Sequence, residues 1–73
     1  GKKIIPELKV LYPSVKSVSI SHALELTVDS VRIDTVTLAV LKFGKHPDAR
    51  EREKITEWLR ARTGSEKLRL IAE

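Results

Sequence analysis

At 73 residues, with 41% apolar and 33% charged side chains, the chain has room for one small domain with one small core, and it is too rich in Val, Ile and Leu for a disordered segment. Cysteine is absent, which excludes a disulfide scaffold and thiolate metal sites. The net charge of +4 arises from 14 basic and 10 acidic residues that are intermixed, the pattern of a solvated surface that still permits contact with nucleic acid or anionic lipid.

The sequence lacks methionine and starts Gly1-Lys2-Lys3, so residues 1–73 read as a single small domain excised from a longer protein, with Gly1 as a scar of tag removal. The longest apolar run is Leu38 to Leu41, far short of the roughly 18 to 20 residues a membrane span needs.

In chain order, Ile4, Leu8, Leu11 and Tyr12 share one helical face, Pro6 suits a first turn, and Pro13 stops the helix near Leu11. From Val15 to Ser21 the chain alternates, with Lys16, Val18 and Ile20 on one side, the period of a half-buried strand. Leu24, Leu26 and Val28 then alternate with Ala23, Glu25 and Thr27, as a second strand or an extended loop. Asp29-Ser30 is turn chemistry. Val31 to Phe43 is apolar on both faces, which predicts a central strand.

Gly44-Lys45-His46-Pro47 ends that strand, and Asp48 with Glu51 makes a capping-box-like helix start. Ile55, Trp58 and Leu59 form the helix's apolar stripe, Glu51 and Lys54 an i,i+3 pair, and Gly64 sits where a left-handed cap belongs. Leu68 and Leu70 alternate with Lys67, Arg69 and Ile71 as a last strand.

The order α-β-(β)-β-α-β predicts an α+β two-layer sandwich. Its small mixed sheet of three to four strands carries two helices on one face, with a right-handed crossover to a parallel last strand. Such a sheet has an open face, so one apolar set of the central strand is the candidate interaction surface: Val36, Leu38 and Val40, or Ala39, Leu41 and Phe43.

Catalytic chemistry is not expected. His22 and His46 are the only histidines, neither has a nucleophile and an orienting group at usable spacing, and Ser21 and His22 point to opposite faces of a strand. His22, Asp29 and Asp34 could converge near the central loop, but they match no metal-ligand spacing. No metal or cofactor is expected, and no small-molecule partner is identifiable; a small-molecule sensor is a third option that the sequence neither supports nor excludes. Arg50, Arg60, Arg62 and Arg69 are candidate phosphate contacts for a nucleic-acid-binding alternative, against which glutamates are interleaved and Trp58 lies on the apolar stripe.

The stretches "ELKVLYPSVKSVSIS", "DTVTLAVLKFGK" and "EKITEWLRARTGSEKLRLI" together resemble the soluble C-terminal tail of an uncharacterised bacterial family of multi-pass hydrophobic membrane proteins, its Bacteroidetes-type members above all. The element order is also similar to the cytoplasmic domain of cation diffusion facilitator transporters, without the histidines and acids that hold metal there. These resemblances imply a non-catalytic accessory domain in the cytoplasm, tethered to the inner membrane through its parent and packing against that parent or against itself. In that setting Lys2 and Lys3 would stand beside an anionic leaflet.

Overall fold

The computed structural model describes residues 4–73; Gly1, Lys2 and Lys3 lie outside that range. The elements are α1 (Ile4–Leu11), β1 (Val15–Thr27), β2 (Arg32–Phe43), α2 (Ala49–Thr63) and β3 (Leu68–Ala72). They form an α+β domain in which one mixed sheet, ordered β1-β2-β3, pairs β1 with β2 antiparallel and β2 with β3 parallel. Among the described residues the sheet has three strands, not four, because residues 23–27 continue β1. No proline or glycine interrupts Val15 to Phe43, so nothing stops the two arms from pairing along their whole length.

In α1, Ile4 and Leu8 are buried. Leu11, expected beside them, is exposed: the helix ends there, Tyr12 donates its N–H to the Leu8 carbonyl at 2.7 Å, and it is Tyr12 that packs against the core.

The ends of α2 are set by two residues. The Asp48 carboxylate accepts the Glu51 N–H at 2.7 Å, filling one of the donors a helix start leaves orphaned. Gly64 closes the other end at φ 70°, the left-handed region that favours glycine. Between them Ile55 and Leu59, one turn apart, are fully buried. The ion pair on this helix joins Glu57 to Arg60 at 3.1 Å, in place of the expected Glu51 and Lys54.

The core lies between the helices and one sheet face, where Ile4, Ile55 and Leu59 meet Ala39, Leu41, Leu68 and Leu70. Thr37, the buried polar residue at the edge of this layer, is satisfied by the Ser65 hydroxyl at 2.8 Å. β3 pairs with β2 only over Thr37–Leu41. Beyond that level β1 and β2 run on as a two-stranded ribbon to a turn at Val28–Val31. The longest dimension of the molecule, 40 Å, matches thirteen extended residues at about 3.3 Å each.

Candidate interaction surface

Ala39 and Leu41 lie beneath the helices with no exposed surface, and Phe43 is half-buried against the same core. The register puts Val36, Leu38 and Val40 on the opposite face. Leu38 and Val40 are half-buried there, and Val36 is only 3% exposed.

No helix covers Val36. Ion pairs do: Lys67 reaches Asp34 at 2.7 Å, and the Arg69 guanidinium holds Glu25 through Nε and Nη2 at 3.2 and 3.1 Å. Arg69 is level with Leu38 and Glu25 with Asp34, so the guanidinium crosses β2 diagonally at the level of Val36. The Lys67 hydrogen bond holds the Asp34 carboxyl below its ordinary pKa against an opposing desolvation, helped by the charges of Lys67, Arg32 and Arg69. The hydrogen bond and charge of Glu25 raise the Arg69 pKa in turn.

Exposed apolar side chains stand on α1, at Ile5, Val10 and Leu11, and in a larger group at the far end of the ribbon. Leu24, Leu26 and Ile33 are each about two-thirds exposed, and Val28 and Val31 at the turn nearly nine-tenths. Leu26 stands opposite Ile33, and both share the core-side face with Ala39 and Leu41. This patch is the core face continued past the helices that cover it elsewhere. Its residues stand in the sequence as the alternation Leu24, Leu26, Val28. Their exposure could have been read only by comparing hairpin arms of 12 and 13 residues with a third strand of five.

The four arginines do not form one bare basic face. Arg60 pairs with Glu57, Arg62 with Glu7, and Arg69 with Glu25 on the other side of the sheet. Arg62 also lies over the Trp58 ring, 5.8 Å from its centroid. Arg50 is exposed in the first turn of α2. His22 has Nδ1 3.5 Å from the Thr37 hydroxyl on the core-side face, whereas Asp34 is on the opposite face and Asp29 in the turn. His46 is exposed before α2. Among the described residues no three His, Cys, Asp or Glu side chains group to hold a metal, and no helix is long and apolar enough to cross a membrane.

No curated protein matches the chain, and no solved structure matches it. The family model described as a domain of unknown function, DUF8492, matches residues 1–73. The chain therefore belongs to that family.

Proposed function

We propose that the domain is a non-catalytic interaction module that docks through the apolar end of its hairpin ribbon. The observation that carries this reading is the set Leu24, Leu26, Val28, Val31 and Ile33, which the fold gathers at one end and leaves in solvent. Contiguous apolar side chains on a small domain mark contact surfaces, because hiding them from water is favourable and the fold itself does not hide them. The pairing of Arg60, Arg62 and Arg69 with carboxylates supports this reading over nucleic-acid binding, which needs unpaired cations on one face.

A photo-crosslinking residue in place of Val28, in cells that make the protein, tests the proposal against the same residue in place of Glu53, exposed on α2. A discrete adduct from position 28 and none from position 53 is expected. Equal yields, or none from either, refute it. Tethering to a membrane through the parent protein is the wider proposal, which the resemblance supports. Hydropathy of the parent reading frame tests it: spans of about 20 apolar residues ahead of the domain are expected.

A further inference from the structure

We propose that the partner is a second copy of this chain, joined through the outer edge of β1 in an antiparallel pair about a two-fold axis at His22. The inference rests on the interaction reading above and adds to it the partner and the register.

The backbone defines which groups are free. Thr37 and Phe43 donate to the Lys67 and Glu73 carbonyls, and the Leu41 carbonyl accepts from Glu73, so the odd-numbered residues of β2 turn their polar groups toward β3. Its even-numbered residues then turn toward β1, where Lys42, Val40, Leu38, Val36 and Asp34 face Ser17, Ser19, Ser21, Ala23 and Glu25. The odd residues of β1 are therefore spent on β2. Val18, Ile20, His22, Leu24 and Leu26 point their N–H and C=O groups outward from the sheet.

That edge lacks the usual guards. It has no proline, and its only bulge lies at one end, between Val15 and Ser17. The other edge of the sheet differs: β3 has five residues, and the outward carbonyl of Leu70 is taken by the Arg52 guanidinium at 2.8 Å.

Only one antiparallel register uses all five free residues at once. It sets His22 against His22 on the axis, and Ile20 against Leu24 and Val18 against Leu26, these last two pairs each formed twice by symmetry. The core-side apolar residues of the two ribbons then face one another.

The same operation brings each turn to the other protomer's groove between α1 and β1, lined by Ile5, Leu8, Pro13, Val15 and Val18. Lys9 and Lys16 also line that groove, and the arriving turn carries Asp29. Apolar ribbon end meets apolar groove, and the turn's carboxylate meets two cations.

Sedimentation equilibrium of the 73-residue chain up to millimolar concentration tests the pairing. A species of twice 8.2 kDa is expected. Ile20→Lys and Leu24→Glu should each weaken the dimer about tenfold, and the double variant, which sets lysine against glutamate twice, should restore it. Amide exchange of the unaltered protein gives a second reading that requires no variant to fold. The amides of Val18, Ile20, His22, Leu24 and Leu26 should slow as concentration rises, while those of Ser19, Ser21 and Ala23 stay slow throughout.

A monomer at every concentration, a dimer indifferent to both substitutions, or a double variant no better than the singles overturns the proposal. A position-28 adduct with a different protein, or flotation of a monomer with anionic vesicles, also overturns it while leaving the interaction reading standing. Absence of any adduct removes both.

Discussion

Leu59 and Trp58 are neighbours in α2 and were equally legible as part of an apolar stripe, yet they do different jobs. Leu59 has no exposed surface, whereas Trp58 is half-buried with one face under Arg62. Leu59→Ala should cost about 2 to 5 kcal/mol, a large part of what so small a domain has. Trp58→Ala should cost less, and urea unfolding followed by circular dichroism would rank the two; the reverse order would mean that the core is centred elsewhere.

Val36 shows what residue spacing alone does not reveal. Its burial depends on Arg69, distant in sequence and brought over it only by the parallel pairing of β2 with β3. Asp34 belongs to the same cover. Its pKa is lower in the fold than in the unfolded chain, so its contribution to stability is present above the unfolded value of about 3.9 and is lost as pH falls through the depressed one. The melting temperature should therefore drop more steeply with acid in the unaltered protein than in Asp34→Asn. Equal slopes would show that the Lys67 contact does not persist in solution, and added salt should narrow the difference.

At the scale of elements, two backbone positions should respond in opposite directions. Val31 has φ 52° in the hairpin turn, a left-handed conformation that a β-branched residue adopts at a cost. Val31→Gly should stabilise the domain by about 1 kcal/mol. Gly64 adopts φ 70° at the end of α2, and a Cβ there would meet nothing within 4 Å, so Gly64→Ala tests conformation without crowding. It should destabilise by about 1 kcal/mol. Thermal melts of both variants check the signs; a destabilising Val31→Gly would show that the valine side chain makes a contact worth more than its strain.

The α2 caps were legible because Asp48 and Gly64 act on their own neighbours. The length of β1 was not, because the alternation from Ala23 to Val28 suits a separate strand or a loop as well as a continuation. What decides is the unbroken register with β2, from Ser17 opposite Lys42 to Thr27 opposite Arg32, a long-range property.

For the whole molecule, the mismatch between long hairpin arms and a short third strand divides the sheet into two regions. Thr37 to Leu41 has strands on both sides and helices above, while the segment from Leu24 through Thr35 has one partner strand and an uncovered apolar face. Native-state hydrogen exchange at low concentration should show two tiers, with β2 amides near Ala39 exchanging only through global unfolding and those of the ribbon end through local opening. A single tier would mean that the ribbon is held as firmly as the core. The fold class was legible from the order of elements; the exposed patch was not, since it depends on how far the helices reach along the sheet.

The parallel pairing also orders events in time. The hairpin closes through a four-residue turn, whereas β3 can pair with β2 only by closing the longer loop that carries α2, so the hairpin should be the first part of the sheet to pair. Until β3 arrives, that hairpin has two open edges. Collisions between chains in this interval can join strands that belong to different molecules, and refolding yield should therefore fall with protein concentration even where the finished domain is stable.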